Sequence, residues 1–254
     1  MRFSSLGSGS EGNGLVVESG GTRVLIDCGF GLRDTASRLA RLGLEPRALT
    51  AILVTHEHAD HVGGVPAFAG RHGIAVWGSF GTLAAAAHRF DGLDRVCGFD
   101  SHVAFAIGDL EITPIPVPHD AREPTQFVLG DGAVRLGVLT DLGVSTPHVE
   151  ATLSGCDALV LETNHCLDLL AGSDYPYPLK QRIAGRLGHL DNGSSAALLG
   201  RIDTSRLKHV VAAHLSQQNN TPAKARSALA EALGCTEDWI GIADQAEGFG
   251  WRDL

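Results

Sequence analysis

Six times along this 254-residue chain an apolar, strand-like run stops and a metal-capable side chain comes next. VLID delivers Asp27, AILVTHEH delivers His56 and His58, and ITPIPVPH delivers His119. RLGVLTD delivers Asp141, ALVLETNH delivers Glu162 and His165, and HVVAAH delivers His214. No other feature constrains the fold as tightly. In open α/β sheets, loops leaving the strand ends converge on one edge, and ligands gather there. Strands that all end this way can bring residues far apart in sequence to one point.

The remaining pattern agrees with that architecture. Short strands are expected at the start, in MRFSSLG, GLVVES and TRVLIDCG, with Gly20-Gly21 as a hairpin turn. Leu32, Ala36, Leu39, Ala40 and Leu44 stand at helical spacing and predict an amphipathic helix over 32–44. Strand and helix then alternate: strand 49–55, a helix from about 60, strand 74–78, and a helix over 79–88. Further strands are expected near 103–117, 125–129, 134–140, 157–162 and 207–214, with helices around 178–187, 192–201 and 222–233. A strand is expected at 238–243, and the chain should finish in strand through IGIADQAEGFGW. Mixed sheet covered by helices means an α/β sandwich. No repeat, charge run or linker divides the chain, so one domain spanning residues 1–254 is expected.

Composition narrows the class. The chain is 44% hydrophobic and 19% charged, as an ordinary globular protein is. The opening MRFSSLGSGSEGNG has no apolar signal-peptide core, and no run approaches the roughly 20 apolar residues of a membrane span. Five dispersed cysteines without a CxxC pair suit reduced thiols, so a cytoplasmic setting is expected. A net charge of −9 argues against a broadly basic nucleic-acid surface, although two divalent cations would add four positive charges to that count.

In an extended loop, residues i and i+2 project the same way, so His56 and His58 can reach one ion together. Asp60 and His61 sit where a helix starts and serve a neighbouring position. His119 would complete the first ion's shell and His214 the second, with Asp141 bridging. Neutral imidazoles and carboxylates are ligands for Zn²⁺ or Mn²⁺, and this set accepts either. Two such ions, holding a bridging hydroxide, can clamp a phosphate or carbonyl oxygen.

THEHADH resembles the signature of the metallo-β-lactamase superfamily. That resemblance implies an αββα sandwich, two mixed β-sheets covered by helices, with a dinuclear hydrolytic centre. It places Asp27 as a supporting residue below the metals, and it matches His119, Asp141 and His214 to the later motifs. SLGSGSEGNG (5–14), PHDAREPTQF (118–127), TDLG (140–143), LETNH (161–165), YPYPLKQRI (175–183), GHLDN (188–192) and AHLSQQNN (213–220) come in order. Together they are similar to the single-domain YycJ/WalJ-type group, which implies a nuclease-like enzyme with 5′-to-3′ DNA exonuclease activity. That group usually has NHD and GHLSN where this chain has NHC, with Cys166, and GHLDN, with Asp191.

Other polar signals concern the substrate. His165 and His189 lie outside the seven-ligand set and could contact phosphate or donate a proton to the leaving oxygen. Asp60 is expected to hold both metal and attacking hydroxide. Lys180, Arg182 and Arg186, behind Tyr175 and Tyr177, would suit a phosphate-tracking groove with stacking aromatics. Ser8 and Asn13, in a Gly/Ser loop, could help cradle an anion. The function expected is metal-dependent phosphodiester hydrolysis on nucleic acid, DNA favoured. The alternative is a small-molecule hydrolase acting on a cyclic phosphodiester, thioester or lactone.

Overall fold

The computed structural model describes residues 1–254. Apolar strands with both faces buried need cover on both sides, and the chain supplies it with two stacked sheets and two outer layers of helix. In the first half the strands are β1 (Arg2–Gly7), β2 (Gly14–Ser19), β3 (Thr22–Ile26), β4 (Ala51–Leu53), β5 (Ala75–Ser79) and β6 (Val96–Phe99). The second half supplies β7 (Phe105–Ile107), β8 (Leu110–Pro116), β9 (Thr125–Gly130), β10 (Arg135–Leu139), β11 (Ala158–Glu162), β12 (His209–Ala213), β13 (Ile240–Ile242) and β14 (Phe249–Asp253). One seven-stranded sheet runs β14-β1-β2-β3-β4-β5-β6; the other runs β13-β12-β11-β10-β9-β8-β7.

The two sheets share one plan. β1, β2 and β3 form an antiparallel meander, and β4, β5 and β6 then add in parallel. β8, β9 and β10 repeat the meander, and β11, β12 and β13 repeat the parallel additions. Each meander is flanked by one more antiparallel strand, β14 beside β1 and β7 beside β8. Topology therefore repeats where no residue-level period is visible.

The helices are α1 (Leu32–Arg41), α2 (Ala59–Val62), α3 (Val65–His72), α4 (Phe80–Ala85) and α5 (Ala87–Phe90) in the first half. The second half has α6 (Pro147–Leu153), α7 (Leu167–Gly172), α8 (Tyr177–Ile183), α9 (Asn192–Leu199) and α10 (Pro222–Leu233). Strand alternation sends successive side chains to opposite faces. In β11, Ala158 and Val160 meet Val24, Leu53 and Phe127 between the sheets, while Leu159 and Leu161 meet Leu198 and Leu229 under α9 and α10. Likewise Leu25, Ile52 and Val76 pack outward against Leu39 of α1 and Phe68 of α3. The result is the expected αββα sandwich. No helix is long and apolar enough to cross a membrane.

Several boundaries differ from expectation, each for a local reason. The run 103–117 is a hairpin, β7 and β8, turned at Gly108 with φ 56°. The helix over 79–88 breaks at Ala86 into α4 and α5. β6, exposed along one edge, has no clean apolar pattern and was not expected. The terminal IGIADQAEGFGW is two strands in different sheets. Asp244 accepts hydrogen bonds from the N–H groups of Ala246 (2.8 Å) and Glu247 (2.9 Å), and Gly248 takes φ 61°, so the chain turns across the sandwich.

Candidate active site

Beyond the C-terminal ends of β3, β4, β8, β10, β11 and β12 stand Asp27, His56, His119, Asp141, His165 and His214, with Glu162 closing β11 itself. Asp27 and His214 leave their strands in the left-handed region, at φ 59° and 54°. Non-glycine residues hold that conformation only where surrounding contacts over-determine it. Here the Asp27 N–H donates to the Leu53 carbonyl (2.9 Å), and its carboxylate accepts from the Thr55 N–H and hydroxyl, both at 2.8 Å. The His214 N–H donates to Ser8 Oγ (2.9 Å).

Four overlapping ligand-capable groups meet in this basin. The donor atoms of His56, His58 and His119 lie within 4.8 Å of one another, as do those of Asp60, His61 and His214. Asp141 joins both sides, grouped with His56 and His61 and again with Glu162, His189 and His214. Each imidazole is fastened by one nitrogen. His61 Nδ1 donates to Asp27 Oδ2 (2.7 Å), and His119 Nδ1 to the Gly188 carbonyl (3.0 Å). His58 Nε2 donates to the Asp120 carbonyl (3.2 Å), and His214 Nδ1 to Glu162 Oε1 (3.3 Å). His56 Nδ1 lies 3.0 Å from Thr55 Oγ1. Such backing fixes ring orientation and leaves the second nitrogen as a ligand.

Buried polar atoms are normally satisfied, because each one left bare carries a desolvation penalty of roughly 1–3 kcal/mol. Here His56 Nε2 and His214 Nε2 are buried without a hydrogen-bond partner, and Asp141 Oδ2 faces only His61 Nε2 at 3.1 Å. Bare nitrogen and oxygen donors converging from separate strands fit divalent cations. Charge agrees. Burial opposes charge on His61 and His214, but the surrounding carboxylates outweigh it. Asp141, then Asp27 and Asp60, hold His61 well above its ordinary value, and Asp141 leads in pushing His214 up to about 10. Asp141 is held well below the carboxylate range because His214 and His61 overcome its burial. The same carboxylate field would draw divalent cations, each histidine giving up its proton to bind one.

Above the basin opens a cleft of about 420 Å³. His58, Asp60, Asp141, His189 and His214 form its floor, and Tyr175, Leu179, Arg182 and Ile183 one wall. His189 stands between His119 and His214, with ring centroids 5.3 and 5.2 Å away, and its Nδ1 donates to Glu162 Oε1 at 2.7 Å. Burial opposes its protonation, yet Glu162 and Asp141 together hold it above its ordinary value. Glu162 has no role assigned from the sequence. Fully buried, it supports His189 and His214 with one oxygen and accepts from the Leu142 and Leu190 N–H groups with the other. Its place at the end of an apolar strand was the available signal.

Other expected contacts fall elsewhere. His165 is buried, lies 3.3 Å from Asn164 Oδ1 and does not line the cleft. Ser8 and Asn13 are buried too, and both are bonded to residues of the basin. Asn13 Nδ2 reaches the Asp60 carbonyl (3.3 Å) and His61 Nε2 (3.2 Å), while Ser8 holds the His214 backbone. Of the three cations on or after α8, only Arg182 lines the cleft. The Lys180 ammonium donates to the Ala171 carbonyl (2.7 Å), and Arg186 stands outside. Asp191 caps α9 through the N–H groups of Gly193 (2.8 Å) and Ser194 (3.1 Å). Aspartate performs that capping as well as serine does.

An αββα sandwich with a histidine–carboxylate basin at its strand ends defines a class, the metal-dependent hydrolases. The Beta-lactamase superfamily domain model matches residues 22–214, and the chain belongs to that superfamily. It is 30% identical over 249 residues to the exodeoxyribonuclease YycJ of Bacillus anthracis, covering 97% of this chain and 94% of that protein. It is 30% identical over 247 residues to the exodeoxyribonuclease WalJ of Streptococcus pneumoniae, covering 95% and 91%. Among solved structures, the metallo-β-lactamase fold protein YhfI of Bacillus subtilis superposes with a TM-score of 0.76 at 14% identity, covering 99% of each chain. The fold implies divalent metal ions, and the donor set here suits them.

Proposed function

We propose that this chain is a phosphodiesterase acting on nucleic acid in the cytoplasm, with DNA as substrate and digestion from a 5′ end. Two divalent ions, Zn²⁺ or Mn²⁺, would be held by His56, His58 and His119 and by Asp60, His61 and His214, with Asp141 between them. The observation that carries this reading is the pair of donor triads joined by Asp141 on the floor of an open cleft. The YycJ and WalJ relatives, covered over nearly their whole length, support DNA as the polymer.

Bound at such a site, divalent ions acidify a water and neutralise charge on phosphoryl oxygens. The chain's own residues do the rest. Asp60 lines the cleft, its Oδ2 lying 3.3 Å from His61 Nε2 and 3.5 Å from His214 Nε2. From there it can accept a hydrogen bond from the attacking water. His189, with Nδ1 engaged by Glu162, has Nε2 left to present a proton to the leaving oxygen. Glu162 holds that ring in place. Tyr175 gives an unpaired base a surface on the cleft wall.

End-labelled duplex DNA, single-stranded DNA and RNA, each offered with Zn²⁺ or Mn²⁺ beside bis-p-nitrophenyl phosphate, test the reading. Shortening of DNA from its 5′ end supports it. Hydrolysis of the small diester with no polymer cleaved would overturn it.

A further inference from the structure

Arg182 is 62% exposed, and an arginine so exposed would ordinarily sample many rotamers. This one is tied. Its Nε donates to Asp120 Oδ2 at 2.6 Å. Asp120, directly after His119, is itself fastened through its backbone: its N–H donates to the Leu187 carbonyl (3.0 Å), and its carbonyl accepts from His58 (3.2 Å). Its second carboxylate oxygen lies 3.5 Å from His119 Nε2 and 3.7 Å from His58 Nε2. Asp120 thus stands between the His56/His58/His119 side of the basin and the wall formed by α8. The first oxygen faces the arginine and the second faces the imidazoles.

A guanidinium presents five N–H groups in a rigid fork that matches phosphate geometry. Asp120 engages one of them. The four on the η nitrogens have no protein acceptor, and the side chain lines the cleft. Asp120 stands between the guanidinium and the imidazoles of the basin, which favours a phosphate next to the scissile one. We infer that Asp120 is a positioning residue that presets Arg182 as a bidentate clamp for the phosphate neighbouring the scissile group. Lys180 and Arg186 take no part. The inference rests on the nucleic-acid reading above and supplies one contact that decides between a polymer and an isolated diester. The clamped group is either an internal diester or a terminal monoester, which share the same recognising chemistry.

The test uses full-length, metal-loaded protein as wild type, Arg182→Ala, Arg182→Lys, Asp120→Asn and the double variant Lys180→Ala/Arg186→Ala. Metal content and melting temperature are measured for each. Substrates are a short single-stranded DNA with a 5′ phosphate, the same strand without it, the same strand with a neutral methylphosphonate beside the scissile linkage, and bis-p-nitrophenyl phosphate. Arg182→Ala should raise KM on the DNA by about 10- to 100-fold, the range for a lost charged hydrogen bond. Its kcat, metal content and rate on the small diester should stay at wild-type values. Arg182→Lys should restore little, Asp120→Asn should fall between, and the double variant should match wild type. Methylphosphonate should weaken wild type to the Arg182→Ala level and leave that variant indifferent. If removing the 5′ phosphate does this instead, the clamp holds a terminal monoester. An unchanged KM in Arg182→Ala, equal losses on both substrate types, or full rescue by lysine would each overturn the clamp while leaving the nuclease reading standing. A wild type that hydrolyses the small diester and neither binds nor cuts DNA overturns the nuclease reading, and the clamp with it.

Discussion

His189 donates to Glu162 with one nitrogen and has the other available at the cleft, the arrangement a proton donor needs. His189→Ala should retain its metal and its affinity for DNA while turnover falls by about 10²- to 10⁴-fold, the usual contribution of a general acid. The loss should shrink on bis-p-nitrophenyl phosphate, whose leaving group needs no proton. Steady-state rates on the two substrates, measured beside metal content, check this, and equal losses would remove the acid role. Asp141 makes the sharper case on stoichiometry. Because it belongs to donor groups on both sides of the basin, Asp141→Ala should cost both ions at once. Elemental analysis returning one tightly held ion in the variant would contradict that. Asp141 and the six other proposed ligands were legible because strands end on them or, for Asp60 and His61, because they follow at once in the same HEHADH run. Asp120 was not: its partner Arg182 lies 62 positions away, and nothing local in PHDAREP marks a carboxylate that will meet α8.

At the level of elements, the loops that carry the proposed ligands are held by close backbone approach rather than by large side chains. Gly29, just after β3, passes directly beneath the loop leading into α2. A Cβ there would overlap the Asp60 carbonyl oxygen, which accepts from the Asn13 N–H (2.8 Å). Gly29→Ala must displace that carbonyl, and overpacking of this kind costs about 1–3 kcal/mol. The expected outcome is a lower melting temperature and weakened metal binding on the Asp60/His61/His214 side, with the other side less affected. Competitive metal titration together with calorimetry would show it; a variant binding both ions with wild-type affinity would refute the bracing role. Most strands were legible as apolar runs, because strands buried on both faces carry little else. Boundaries were less so. IGIADQAEGFGW reads as one strand because the Asp244–Gly248 turn is short and polar residues are common in edge strands.

Across the whole molecule, two sheets share one core, and Phe127 of β9 fills it, fully buried and edge-on to Phe99 at 5.9 Å. Phe127→Ala should cost about 3–5 kcal/mol through lost transfer energy and an unfilled cavity. At roughly 2–4 °C per kcal/mol for a chain of this size, a fall of about 6–20 °C in Tm is expected by thermal denaturation. Metal should act in the opposite direction. Unsatisfied donors at the centre mean that ions bind the folded state and stabilise it by mass action, about 2.7 kcal/mol at 100 times Kd. Chelated protein should therefore melt lower and recover on addition of Zn²⁺ or Mn²⁺. A Tm indifferent to chelation would argue against a metal centre built on these residues.

Residue chemistry alone determined that strands would end on imidazoles and carboxylates, that those strands would be buried, and that a sandwich must cover them. These are local facts, written in periodicity and in the residue types placed at the end of each apolar run. Tertiary structure alone decided which of the polar residues face the cleft. Ser8 and Asn13 turned inward to bond residues of the basin, His165 went into the interior, and Glu162 became the support for His189 and His214. It also selected Arg182 from three neighbouring cations and closed the first sheet with β14, a strand from the far end of the chain. The physical reason is the same in each case. Periodicity reports whether a side chain is buried, whereas its partner is set by where other strands and helices arrive in space.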